Sequence, residues 1–279
     1  MTDHNHHHPA GGHEHGNHHG DGLAELLDLD AQVLGSYLDA ATTWAAELAP
    51  AAATIVDLGA GSGAGTLALA HRFPEAAVVS VDKSPDMLGR TLEAARRQGL
   101  SGRVRTVEAD LDASWPPIAG ADLVWASSSL HELADPDHAM REVFAALRPG
   151  GVLLVIEMDG LPRFLPDNLH AGLESRLHAA LARQGWNSHP DWRPGLELAG
   201  FAAVEQRAFP ATGSPTPEAA SRYARAFLGR IGPALAGIAS AEDLYALNRL
   251  LDDDGPDSPL RSPELEVRGS RTAWAARKA

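Results

Sequence analysis

Apolar and polar positions follow two rhythms along this chain. Over residues 23–48, Leu23, Leu26, Leu27, Leu34, Tyr37, Leu38, Ala41, Trp44 and Leu48 recur at helical spacing, which predicts one or two amphipathic helices closed by Pro50. Short apolar runs then alternate with helical stretches. Strands are predicted over residues 54–58, 76–82, 103–110, 121–127 and 151–158, with helices after residue 66, over 84–98 and over 137–147. Ser84-Pro85 supplies an N-cap followed by proline at the first helical position, and Arg148-Pro149-Gly150-Gly151 stops the 137–147 helix. Strands alternating with helices imply a mostly parallel sheet with helices on both faces and right-handed crossovers.

Beyond Asp159 the rhythm loosens. A helix is predicted near residues 168–184, a strand over 201–209, a Pro/Ser/Thr-rich loop over 210–217, helices over 218–231 and 241–251, and a closing alternating strand over 265–274. Residues 1–22 differ from all of this. They carry His4, His6, His7, His8, His13, His15, His18 and His19 among Gly, Asn and Asp, lack the apolar surface to fold alone, and are expected to be a disordered tail. Imidazoles at spacings of one and two can bind a divalent metal ion, so metal binding through the tail is one reading of the protein's function.

Composition narrows the chemistry. A chain of 279 residues with 44% hydrophobic and 22% charged residues suits one large domain with a sizeable core. No apolar run is long enough to cross a bilayer and the Met1 region lacks a signal-peptide core, so a cytoplasmic location without membrane contact is the expectation. A net charge of −14 opposes a nucleic-acid partner, since phosphate contacts need clustered Lys and Arg. The absence of cysteine excludes disulfides, thiolate nucleophiles and Cys-ligated zinc.

The candidate chemistry begins where the first strand ends. Thr54-Ile55-Val56-Asp57-Leu58 runs into Gly59-Ala60-Gly61-Ser62-Gly63, and glycines there let backbone approach a ligand that a Cβ would block. The spacing Gly59-x-Gly61-x-x-Ala64 also satisfies a dinucleotide fingerprint, so the loop by itself leaves an NAD-linked oxidoreductase open. Asp82, 21 residues past Gly61 at the end of the second strand, can accept ribose hydroxyls in either class. Asp57 separates them, because it would repel a pyrophosphate yet favour a cofactor carrying an ammonium group. Asp110 ends the third strand with an acceptor for an exocyclic adenine amine.

Five segments in this order, Val56 to Gly63, Val81 to Leu88, Glu108-Ala109-Asp110-Leu111, Ala121 to His131 and Leu147-Arg148-Pro149-Gly150-Gly151, resemble the class I S-adenosylmethionine-dependent methyltransferases. The resemblance covers about residues 54–158 and implies a Rossmann-like sheet of seven strands, mostly parallel, with an antiparallel last strand. It further implies a helical cap over residues 23–50 and a methyltransferase domain over 51–279, with a helical insertion at about 210–262. Carried over residue by residue, Gly59, Gly61 and Gly63 pass the amino-acid part of the cofactor and Asp57 orients it. Asp82 holds the ribose, Lys83 and Met87 flank the adenine, Asp110 and the Leu111 backbone read its edge, and Ser127 lies beneath the sulfonium.

The implied reaction moves a methyl group from S-adenosylmethionine to an O, N or C nucleophile of a small molecule, leaving S-adenosylhomocysteine. No metal is expected to be required. His131, four residues past Ser127, is the candidate general base, its imidazole suited to taking a proton near neutrality. His189, Trp192, Tyr37 and Trp44 are candidate pocket walls, with plain core packing the competing role for Tyr37 and Trp44.

Overall fold

A computed structural model describes residues 18–212 and 215–279. Two helices lead in, α1 (His18–Leu34) and α2 (Ser36–Leu48), broken at Gly35, where a Cβ would lie 2.0 Å from the Ala31 carbonyl oxygen. The alternating section follows as β1 (Thr54–Leu58), α3 (Ala64–Arg72), β2 (Ala77–Asp82), α4 (Pro85–Arg97), β3 (Val104–Glu108), β4 (Ala121–Ser127), α5 (Pro136–Ala146) and β5 (Leu147–Met158). Then come α6 (Leu173–Ala182), α7 (Arg193–Leu198), β6 (Ala202–Thr212), α8 (Pro217–Ala234), α9 (Ala241–Asp252) and β7 (Arg268–Arg277).

The seven strands form one sheet in the order β3-β2-β1-β4-β5-β7-β6, with β7 antiparallel to both neighbours. The order turns back at β1 and β4, so right-handed crossovers put α3 and α4 on one face and α5 on the other. Such a turning point opens a crevice at the strands' carboxyl ends, where ligands of doubly wound sheets bind. An antiparallel strand wedged next to β5 departs from the all-parallel sheet of a dinucleotide-binding fold.

Burial follows the period of two that pleating imposes. Ile55, Leu123, Trp125, Leu154, Ile156 and Ala273 face α1, α2, α3 and α8, while Val56, Val124, Leu153, Val155 and Trp274 face α5 and α7. Both faces are covered, so the central strands read as continuous apolar runs.

Several element bounds depart from the sequence pattern for physical reasons. α1 starts at His18, so the backbone of the last residues in the predicted tail is helical, and His4 to His15 lie outside the described residues. The closing strand is Arg268–Arg277, three residues later than alternation suggested, because pairing with β5 draws the small Ala273, Ala275 and Ala276 into the sheet centre. The predicted 168–184 helix starts only at Leu173, since His170, Ala171 and Gly172 take positive φ. Among the described residues no helix is long and apolar enough to cross a membrane.

Candidate functional site

β1 is hydrogen-bonded on both sides, by β2 and β4, and its last residues are fully enclosed. Asp57 therefore sits 2% exposed between Ser80 and Trp125 in register. The first turn of α3 closes over it. Thr66 Oγ1 donates to Asp57 Oδ2 at 2.6 Å, and a Cβ on Gly65 would fall 3.1 Å from both Asp57 Oδ2 and Trp125 Nε1. Burial pushes the Asp57 carboxyl up to about 7, against the Thr66 hydrogen bond that lowers it and with the Asp82 charge that raises it further. The Trp125 indole N–H is buried with no hydrogen-bond partner among the described residues.

The glycine loop is a run of left-handed turns. Gly59, Gly61 and Gly63 have φ of +65°, +53° and +90°, a region that penalises any Cβ. Space forbids one as well. At Gly59 it would meet Ser129 Cβ at 2.4 Å, and at Gly63 it would meet the Thr91 side chain at 2.5 Å. The Ser127-Ser128-Ser129 run explains the first contact: Ser128 takes a φ of +52°, turning the chain so that Ser129 Oγ donates to the Leu58 carbonyl at 2.8 Å.

Asp82 ties this loop to β2. Its Oδ2 accepts from Gly61 N–H at 2.8 Å and its Oδ1 from Ser84 N–H at 2.9 Å, so the acid shapes the loop and the entry to α4 together. Each oxygen keeps a second lone pair for a ligand hydroxyl. Ser84 caps α4 by accepting from Met87 N–H at 3.3 Å. Beside Asp82, at the ends of β2 and β3, lies a cavity of about 690 Å³ lined by Lys83, Val107, Asp110, Trp115 and Pro116 among others. Lys83 and Asp110 thus share one cavity, whereas Met87 is packed into the protein at 7% exposure and Leu111 is half-buried; neither lines it.

Ser127 ends β4 half-buried. Burial and then the Asp30 charge raise the phenol of Tyr37 in α2, while Arg271 and Ser127 lower it. α1 also reaches the site: Leu27 Cδ1 lies 3.1 Å from where a Gly61 Cβ would be. Of the other candidate walls, Trp44 and Trp192 are core residues at 1% and 2% exposure, so neither lines a pocket. His189 is half-buried at the edge of the sheet, with Nε2 3.0 Å from the Met158 carbonyl oxygen and its ring against Trp274.

At this edge the sequence reading missed one cluster entirely and, in a second, the partner of the candidate base His131. On the α1/α8 side, Arg271 is 1% exposed; its Nη2 donates to Asp30 Oδ1 and Oδ2 at 3.0 and 3.1 Å, Tyr223 donates to Asp30 Oδ1 at 2.6 Å, and the guanidinium stacks on Tyr37. On the α5 side, His131 Nδ1 lies 2.8 Å from Oε2 of Glu157, which is wholly buried. Glu157 had a visible signal, an acid within the apolar run of β5. Asp30 and Arg271 had none, being 241 positions apart.

Residues 55–151 match a family model described as a methyltransferase domain. A trans-aconitate 2-methyltransferase from Azoarcus sp. (strain BH72) is 45% identical over 106 residues, which are 37% of this chain and 38% of that protein. Another from Variovorax paradoxus (strain S110) is 35% identical over 167 residues, 58% of this chain and 59% of the relative, so the chain spans well under two thirds of either. In fold, the YcgJ protein from Bacillus subtilis is similar with a TM-score of 0.53 at 16% identity, over 85% of this chain and 97% of that one.

Proposed function

We propose, from the premise that residues 55–151 form a methyltransferase domain of the class I S-adenosylmethionine-dependent kind, that this protein methylates an oxygen, nitrogen or carbon nucleophile of a small molecule. One observation carries the reading. Three glycines at positive φ, with no room for a Cβ at Gly59 against Ser129 or at Gly63 against Thr91, turn the backbone tightly at the β1/β4 turning point, right after the buried Asp57 of β1. That combination suits a ligand presenting an ammonium group and a ribose.

When bound, the cofactor supplies a methyl group already activated on a sulfonium. The chain's task is then to bind, align and move a proton. Gly59, Gly61 and Gly63 let backbone run along the cofactor's amino-acid part, and Asp57 provides the negative field for its ammonium from below the loop. Asp82 offers its free lone pairs to the ribose hydroxyls while keeping Gly61 and Ser84 in place. Lys83 and Asp110 wall the adenine cavity, while Met87 and Leu111 lie outside its lining. Ser127, the last residue of β4, lies beneath the reacting centre. His131 stands four residues beyond as the base.

The relatives' names make trans-aconitate the first acceptor to assay. Incubating the protein with a metabolite extract and isotopically labelled S-adenosylmethionine, followed by mass spectrometry, should reveal a labelled small molecule; an extract with no label above a protein-free control would contradict the reading. His4 to His15 of the tail take no part in this chemistry, so deleting residues 1–17 should leave the labelling unchanged.

A further inference from the structure

Glu157 is the penultimate residue of β5 and follows five buried apolar residues, Val152 to Ile156. Its carboxyl is 0% exposed. Oε2 meets His131 Nδ1 at 2.8 Å, while Oε1 has no hydrogen-bond partner among the described residues. A buried carboxylate with an unpaired oxygen works against stability, and nothing in the packing of β5 against β4 and β7 calls for one. The other ring nitrogen, His131 Nε2, lies 3.2 Å from Glu132 Oε1, on a side chain that is 75% exposed and free to swing into solvent.

With Glu157 as a carboxylate, which only accepts, Nδ1 carries the proton and the neutral ring keeps its lone pair at Nε2. We infer that Glu157 is the positioning residue that fixes His131 as a base, and that the acceptor presents a protonated nucleophile, a hydroxyl foremost, and not a carboxylate. This rests on the methyltransferase reading above. A carboxylate acceptor is already an anion near neutrality and has no proton to give up, so the dyad would have no task. With a hydroxyl, the O–H bond breaks and its proton passes to Nε2. The oxygen's electron pair forms the bond to the methyl carbon, the pair of the carbon–sulfur bond returns to sulfur, and Glu157 balances the imidazolium.

The charged groups acting on the ring are Glu157 from β5 and Glu132 from its own turn. Both raise its affinity for a proton, the Glu157 hydrogen bond most, against desolvation. The test uses the full chain saturated with S-adenosylhomocysteine. Nitrogen NMR of the imidazoles should find neutral His131 protonated at Nδ1, titrating above an ordinary histidine, and Glu157→Gln should lower that midpoint by about one pH unit. A neutral ring protonated at Nε2, or a midpoint unmoved in E157Q, overturns the inference.

Labelled methyl incorporation into a metabolite extract should rise with pH through the His131 titration, drop about 10- to 100-fold in E157Q, and drop about 100-fold or more in His131→Gln, which tests the dyad from its half-buried member should E157Q fold poorly. Methylation of trans-aconitate at a rate flat between about pH 6 and 8 and unchanged in both variants also overturns it. Calorimetry keeps the two readings apart. E157Q should bind S-adenosylhomocysteine as wild type does, and a wild type that binds none refutes the methyltransferase reading itself.

Discussion

The two halves of the sheet's carboxyl edge are built in opposite ways. Around β1 and β2 the glycine loop is shaped by contacts close in sequence between backbone groups and short polar side chains: Gly61 N–H to Asp82 spans 21 positions, and Thr66 Oγ1 to Asp57 only nine. Around β5 and β7 they are made by side chains that the chain brings together from far apart, as Asp30 and Arg271 are across 241 positions. A cofactor common to many enzymes can be held by a backbone cradle, which tolerates variation elsewhere. Recognition of an individual acceptor needs side chains, and their arrangement is set by tertiary packing.

Removing one partner of a buried ion pair should give the largest effect on the side-chain-built half. Asp30→Ala leaves the Arg271 guanidinium at 1% exposure without its carboxylate, and urea unfolding should show a loss of about 3–5 kcal/mol. Cofactor affinity should change little, because the glycine loop makes no contact with this pair. A variant that unfolds normally but loses the cofactor would erase the division between the halves.

The backbone-built half should respond the other way. In Gly59→Ala the new Cβ would lie 2.4 Å from Ser129 Cβ at a φ of +65°, so stability should fall by about 2–3 kcal/mol and cofactor binding by more than about tenfold, since the loop must shift off its ligand path. Full binding by G59A would show that the cradle's shape is not what matters.

A smaller effect sharpens the role of Asp57. Its folded-state carboxyl, raised from an ordinary 3.8 to about 7, holds its proton more tightly folded than unfolded, so this group progressively opposes folding as pH climbs through that window. A cationic cofactor group favours the ionised form. Affinity should therefore rise about tenfold between roughly pH 5.5 and 7 and level off above, with Asp57→Asn flattening the rise. A wild-type affinity independent of pH in that window would remove Asp57 from cofactor recognition.

The same contrast explains what could be read in advance. Asp57, the three glycines, Asp82, Lys83 and Asp110 lie at fixed offsets from strands whose apolar runs are unmistakable, and β4 matches its pattern residue for residue. Met87 illustrates the limit: its place one turn into α4 was legible, but whether its side chain turns toward the cavity or the core is decided by packing against β2 and β3. Trp192 shows the same, being drawn into the core beneath Leu196 and Trp274. The Asp30–Arg271–Tyr223 cluster left no local trace because it assembles only when α1, α8 and β7 meet. Glu157 was visible as an acid in an apolar strand, yet its partner His131 is identified only by the pairing of β4 with β5.

Titration of the wild-type protein with S-adenosylhomocysteine in a calorimeter, beside an NADH control, bears most directly on the glycine cradle as a methyltransferase cofactor site. Stoichiometric binding in the micromolar range with no heat from NADH is the expected result; no binding of S-adenosylhomocysteine, or preference for NADH, would contradict it.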